Sequence, residues 1–302
     1  MTAVAESGRV APSAVRRGLI WWFGTPATPY VSLNVAVDFA AARAYLASLS
    51  AEVPVTVQHL LVACVGRVLR EFPEANARVV GGRIHRIEGV GVAVPVNLFG
   101  HPGGSGGREL SLALIERADE RSLVELARAA GEAVSAERVG KPQRWTVRQV
   151  IRAAERAPPG VLEVGLELLD RVSSIPAGAE LAHRLLPAST ALTNPGAAFG
   201  KVEGLGDGVL FRAAALVPPQ RLLHLGTIWG TSAVQDEVVA VDGRPEVRPM
   251  LPVLLVFDHR LFDGLVAGRM LVRLGQLLRD PAAAFGADGT ATVRGSGRRP
   301  GR

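Results

Sequence analysis

Met250 to Phe257 is a run with no charged residue that leads directly into Asp258-His259-Arg260, after which Gly264 opens a helical pattern reaching Arg279. A short apolar run that stops at charged residues reads as a buried strand. The chain must therefore build a sheet whose interior strand presents an imidazole at its end. The elements before it narrow the choice. Val31 to Val37 reads V-S-L-N-V-A-V, a period-two alternation that predicts a half-buried strand. Asp38 follows as the expected N-cap of a helix over Phe39 to Leu49, and Thr56 as the cap of a second, deeply buried helix to about Glu71.

Beyond Pro73 the pattern becomes β. Arg78-Val79-Val80, a Gly81-Gly82 turn and Arg83 to Ile87 predict a hairpin, with further strands at Val90 to Val94 and Leu110 to Ile115. Ser122 is the expected cap of a helix to about Val139. Residues 145–186 are helical in pattern, broken at Pro158-Pro159 and Pro176, and Val161 to Val172 is amphipathic. Strands are expected again after Thr190, at Arg221 to Ile228, Glu237 to Val241 and Met250 to Phe257. Hairpins mixed with helices predict an α/β (α+β) fold: a mixed, largely antiparallel sheet flanked by helices, not a doubly wound one.

Composition excludes several classes. With 302 residues, 48% hydrophobic and 21% charged, the chain can bury a large core and is too apolar for a disordered protein. The net charge of +6 is almost all arginine, since Lys141 and Lys201 are the only lysines. Those arginines are dispersed, and the one dense cluster lies in the Gly/Arg-rich C-terminal stretch, so nucleic acid is not the expected partner. Cys64, the single cysteine, precludes an internal disulfide and fits a reducing compartment. No stretch is long and apolar enough to span a membrane, and no secretory pattern opens the chain, so the expected location is cytoplasmic.

Six histidines are present, at 59, 85, 101, 183, 224 and 259, and none has a companion at metal-site spacing; no metal is expected. No G-x-S-x-G elbow and no G-x-G-x-x-G after a strand occurs, which argues against hydrolase and dinucleotide chemistry. Gly103 to Gly107 lacks the lysine and the strand-to-helix setting of a phosphate loop. His259 differs from the other histidines in context. A rigid strand that delivers an imidazole beside Asp258 and Arg260 is a way to aim a general base into a cleft, although a structural histidine with an Asp partner has the same local pattern.

The segment Phe257-Asp258-His259-Arg260-Leu261-Phe262-Asp263-Gly264 resembles the D-H-R-x-x-D-G signature of the acyltransferase components of 2-oxo-acid dehydrogenase complexes, and shares its H-x-x-x-D-G core with chloramphenicol acetyltransferases. Pro73-Glu74-Ala75-Asn76-Ala77, Pro218-Pro219-Gln220, Leu225-Gly226, Val247 to Met250 and Thr193-Asn194-Pro195-Gly196 resemble further family segments in the same order. The resemblance runs from about Tyr30 to Pro281. It implies a chloramphenicol-acetyltransferase-like fold and a coenzyme-A-dependent acyl transfer. His259 would be the general base, Thr193 the donor to the tetrahedral oxyanion, and Asp263 a residue holding the active-site structure through an arginine. Asn194 and Arg260 are the accompanying substrate-binding candidates. The resemblance also implies a homotrimer with active sites between subunits.

The chain also departs from the family. The resemblance begins close to the N-terminus, so no lipoyl or subunit-binding domain is expected ahead of it, and neither lysine lies in a lipoylation hairpin. A covalent lipoyl group is therefore not expected on this chain, and a lipoyl or other carrier protein would act in trans. The expected organisation is a disordered N-terminus at 1–15, one catalytic domain at 16–284 with a helical insertion near 145–186, and a disordered tail at 285–302. The insertion is expected to reshape the acceptor side of the channel or to dock a carrier. The acceptor stays open among a small metabolite, a carrier thiol and a lipoyl group. So do two other readings: a non-catalytic trimeric scaffold, and a cyclisation or elimination run by the same base.

Overall fold

The protein is described from a computed structural model, over residues 30–49, 52–80, 83–98, 100–102, 104, 110–141, 153, 156–185, 187–195, 212–214 and 221–292. The expectations for residues 1–15 and for the Gly81-Gly82 turn lie outside these residues, as does most of the 103–107 loop.

Seven strands form the main sheet: β1 (Tyr30–Asp38), β4 (Val92–Asn97), β5 (Leu110–Ile115), β6 (Thr190–Thr193), β7 (Thr227–Thr231), β8 (Gln235–Val241) and β9 (Arg244–Asp258). A separate antiparallel hairpin is made by β2 (Ala77–Val80) and β3 (Arg83–Arg86). The order in the main sheet is β1-β9-β7-β6-β4-β5, with β8 paired to the first half of β9. Only β4–β6 and β6–β7 are parallel pairs; the others are antiparallel. The expected mixed, largely antiparallel sheet is the one observed. The second half of β9 lies between β1 and β7, with partners on both edges, which is why it reads as a continuous apolar run.

The helices are α1 (Ala40–Ser48), α2 (Val57–Glu71), α3 (Leu123–Arg138), α4 (Pro159–Ser173), α5 (Pro176–Leu185), α6 (Gly264–Arg279) and α7 (Pro281–Phe285). Capping boxes start two of them: Thr56 with His59 for α2, and Ser122 with Glu125 for α3. Every residue from Leu60 to Leu69 in α2 is buried, as its apolar faces predicted. Buried Arg67 donates to the Asp119 carbonyl at 3.1 Å and lies over the Phe285 ring, 5.5 Å from its centroid. Pro159 and Pro176 do not interrupt one long helix. Each stands at the start of its own, where a missing N–H costs no hydrogen bond.

Three expectations need correction. The helix after β1 starts at Ala40, because Asp38 is still paired with Met250 in the sheet; its carboxylate reaches the Ala40 N–H at 2.9 Å. No strand covers Arg221 to Gly226. Leu222 and His224 have φ of 63° and 47°, a left-handed backbone incompatible with a ladder, and β7 begins only at Thr227. Residues 285–292 are packed, not tail. Phe285 is fully buried, Tyr45 donates to the Gly286 carbonyl at 2.8 Å, and the Val124 N–H donates to the Gly289 carbonyl at 3.1 Å.

Among the described residues no helix is long and apolar enough to cross a membrane. α4 presents Val161, Val164, Leu168 and Val172 to solvent on one stripe that continues to Ile175, while Leu162 and Ser173 face inward.

Candidate active site

β9 ends at Asp258, which is almost wholly buried, and the chain then turns through the exposed His259 and Arg260. The turn is held from three sides. The Asp258 N–H donates to the Gly226 carbonyl at 2.9 Å, and the Leu261 N–H donates to the Asp258 carbonyl at 3.0 Å. The Asp258 carboxylate accepts from the Arg260 N–H at 3.0 Å and from the guanidinium at 2.9 Å (Nε to Oδ1) and 2.6 Å (Nη2 to Oδ2). A buried carboxylate is costly unless paired and hydrogen-bonded, and here it is both. Those hydrogen bonds also hold Arg260 above the ordinary arginine pKa. His259, between the two partners, stacks on Phe257 at 6.0 Å between ring centroids, and Phe257 stacks on Phe262 at 4.7 Å. The imidazole thus stands on a fixed aromatic base with its edge open to solvent.

Arg260 was expected to bind substrate. In the structure its guanidinium turns back onto Asp258, which makes it part of the support for His259. Asp263 was expected to hold the site through an arginine. It is the N-cap of α6, accepting from the Val266 N–H at 3.0 Å, and makes no ion pair among the described residues. One residue thus both closes the turn and opens α6.

Three sequence segments that resemble the family meet at Gly226. A Cβ there would come within 2.5 Å of the Ala77 carbonyl oxygen and within 2.5 Å of Leu261 Cδ1. Beside it, Asn76 donates through Nδ2 to the carbonyls of Ile87 and Gly89, both at 2.9 Å, and so shapes the chain leaving the small hairpin. Neither residue was singled out for a role from sequence, although both lie in the quoted segments.

Thr193 and Asn194 are not beside His259. Thr193 is level with Gly230, and Gly230 with Leu254, whereas His259 follows Asp258. At about 3.3 Å per residue, the five residues from 254 to 259 separate them by roughly 15 Å along the strand, before the lateral spacing of two strands is added. Thr190, at the other end of β6, is level with Thr227 and Phe257, two residues short of His259, and its hydroxyl bonds to the Thr227 hydroxyl at 2.8 Å. Within one chain, then, Asp258, His259, Arg260 and Asp263 form one unit and Thr193 with Asn194 another. Among the described residues no group of three His, Cys, Asp or Glu side chains could hold a metal ion.

One buried histidine lies close behind the turn. His224 Nε2 is 3.5 Å from Ser173 Oγ of α4. Burial pushes its pKa below the ordinary value; Asp170 opposes that shift, while the charges of Arg78 and Arg260 reinforce it.

This geometry can be set against known proteins. The model of the family "2-oxoacid dehydrogenases acyltransferase (catalytic domain)" matches residues 25–147 and 206–286. The chain belongs to that family. His259, Arg260 and Asp263 lie inside the second matched segment, whereas α4, α5 and Thr193 lie between the two. Among curated relatives, the succinyltransferase component of the 2-oxoglutarate dehydrogenase complex of Rickettsia bellii is 35% identical over 86 residues, which are 28% of this chain and 20% of that protein. The corresponding mitochondrial component of Mus musculus is 42% identical over 74 residues, 24% of this chain and 15% of that protein. The matches therefore span a fifth or less of those relatives' length. The solved structure of a probable dihydrolipoamide acetyltransferase from Listeria monocytogenes superposes with a TM-score of 0.61 at 18% identity, covering 92% of this chain and 96% of that one. The Azotobacter vinelandii dihydrolipoamide acetyltransferase, studied for the roles of a serine, a histidine and an asparagine in its catalytic mechanism, gives 0.61 at 21% identity, with 94% and 98% covered. These likenesses establish that the fold is that of the dihydrolipoamide acyltransferase cores.

Proposed function

We propose that this family member is a coenzyme-A-dependent acyltransferase that moves an acyl group between a CoA thioester and a thiol, with His259 as general base. The observation that carries the reading is the posture of His259. It is an exposed imidazole on a turn held by the buried Asp258 and its arginine, within a segment that matches the acyltransferase family. Positioning of this kind suits a base that must meet a substrate proton within hydrogen-bond reach.

In the forward step the imidazole takes the proton of the acceptor thiol as its sulfur attacks the thioester carbonyl. The tetrahedral intermediate carries its negative charge on the former carbonyl oxygen, where the Thr193 hydroxyl donates. Collapse breaks the bond to the CoA sulfur, which leaves with the proton held by His259. Atoms and charge balance without redox change. Because Thr193 and His259 are far apart in one chain, a complete site requires Thr193 from a second copy, which fits a homotrimer with active sites between subunits. The preferred acceptor is a dihydrolipoyl thiol on a separate carrier protein, with acyl-CoA as the other substrate. No lipoyl group is proposed on this chain. The proposed compartment is the cytoplasm, where the single buried thiol of Cys64 stays reduced.

The test incubates the protein with acetyl-CoA or succinyl-CoA and dihydrolipoamide, following release of free CoA, separated by chromatography. His259-dependent release supports the reading. A folded protein that releases no thiol from either donor defeats it.

A further inference from the structure

Residues 221–226 form the loop that feeds β7 and supplies the Gly226 carbonyl to Asp258. Leu222 and His224 both have positive φ, which residues with a Cβ adopt at a free-energy cost and keep only where the surroundings impose it. Two sets of contacts impose it here. Leu223 and Leu225 are buried in a small cluster with Ala93, Ala191 and Ile228. Arg221, the Leu222 N–H and His224 meet α4, whose Glu167, Asp170 and Ser173 are spaced three apart on one face. Arg221 Nη1 donates to Glu167 Oε2 at 3.3 Å, the Leu222 N–H to Asp170 Oδ1 at 3.3 Å, and His224 Nε2 lies 3.5 Å from Ser173 Oγ. α4 therefore holds the strained loop at three polar points, while α5 reaches buried Arg78 through Glu180 at 3.7 Å. Both helices fall in the stretch 148–205 that the family's model leaves unmatched.

We infer that α4 is a clamp that holds the 221–226 loop in its left-handed path, with Asp170 as the positioning residue that sets the turn carrying His259. The route is short and physical: Asp170 fixes Leu222, the loop fixes the Gly226 carbonyl, and that carbonyl anchors the Asp258 N–H one residue before the base. The kinetic side of this inference rests on the acyl-transfer reading above; the loop geometry does not.

The experiment compares wild type, Asp170→Ala, Asp170→Asn, Leu222→Gly and the double variant Asp170→Ala/Leu222→Gly. Each is assayed for acetyl transfer from acetyl-CoA to dihydrolipoamide and for backbone hydrogen exchange by mass spectrometry. Asp170→Ala is expected to lower kcat by between about ten- and a hundredfold, the scale of a small misplacement of a reacting group, with little change in KM. Exchange should rise at 222–226 and 258. Asp170→Asn retains an acceptor oxygen and should stay near wild type. Glycine adopts positive φ without steric penalty, so Leu222→Gly should restore kcat and protection in the Asp170→Ala background. Unchanged exchange at 222–226 in Asp170→Ala overturns the clamp, as does a rise spread evenly over the chain that Leu222→Gly does not reverse. A wild type without transfer activity whose exchange still follows this pattern defeats the acyl-transfer reading and leaves the clamp standing.

Discussion

Thr193 and His259 stand toward opposite ends of the same sheet, Thr193 level with Leu254 and His259 just past Asp258, so no single chain brings hydroxyl and imidazole to one carbonyl. An oxyanion donor must lie about 3 Å from the oxygen it stabilises. The two variants Thr193→Ala and His259→Ala should therefore complement each other. Each alone is expected to be nearly inactive, and mixing them under conditions that exchange subunits should restore a measurable fraction of wild-type rate. Mixtures that stay at the level of the separate variants would argue for a site within one copy.

Among the described residues His259 makes a ring stack on Phe257 and no side-chain hydrogen bond, so its removal should separate function from stability. His259→Ala is expected to lower kcat by about a hundred- to ten-thousandfold, the usual contribution of a general base, with the melting temperature close to wild type. Thr193→Ala should lower kcat by about a hundredfold or more, as for loss of one oxyanion donor. Steady-state kinetics and calorimetry on the same samples check both.

Asp263 joins the turn to α6 by capping, which makes its chemistry replaceable. Asp263→Asn should retain both stability and activity, because asparagine caps a helix about as well. Asp263→Ala should cost about 1 kcal/mol and lower kcat as the helix start frays. Urea unfolding with parallel assays distinguishes this from a role in charge, for which the asparagine variant would also fail.

Gly226 has no room for a methyl group against the Ala77 carbonyl, which is backbone and cannot move aside cheaply. Gly226→Ala should destabilise the fold by about 1–3 kcal/mol, the scale of overpacking, and depress transfer through Leu261 and Asp258. An alanine variant with wild-type stability would show that the close approach relaxes.

His224 and His59 both have pKa values lowered by burial, so the folded chain binds fewer protons than the unfolded chain in mild acid. Stability then rises with pH. It is fully present above the unfolded histidine value of about 6.5 and is lost progressively as pH falls below it. His224→Asn keeps a residue type that tolerates positive φ and removes the titration. Its stability should fall less than that of wild type between neutral and mildly acidic pH. Equal losses in the two proteins would exclude His224 as a contributor.

The legible part of the site was local. The strand into His259, the caps at Thr56 and Ser122 and the helix opening at Gly264 depend on residues a few positions apart, so period and spacing carry them. The 221–226 loop was misread as strand because its leucines run on into the apolar residues of β7. Leu223 and Leu225 do face a core, but their neighbours are turned left-handed by contacts with a helix fifty residues away in sequence. The pairing of Arg260 with Asp258 was not legible for a similar reason, since the burial of that carboxylate is set by the neighbouring strands.

By itself, then, the sequence determined the fold class, the family and the candidate for the base, because apolar periodicity and a contiguous motif are written in adjacent residues. Only the tertiary structure decided that Thr193 and His259 are apart, that Phe285 belongs to the core, that Asp263 caps a helix and that α4 contacts the loop beneath the His259 turn. Those outcomes depend on strand register and on which distant surfaces meet, and neither is encoded in any local spacing.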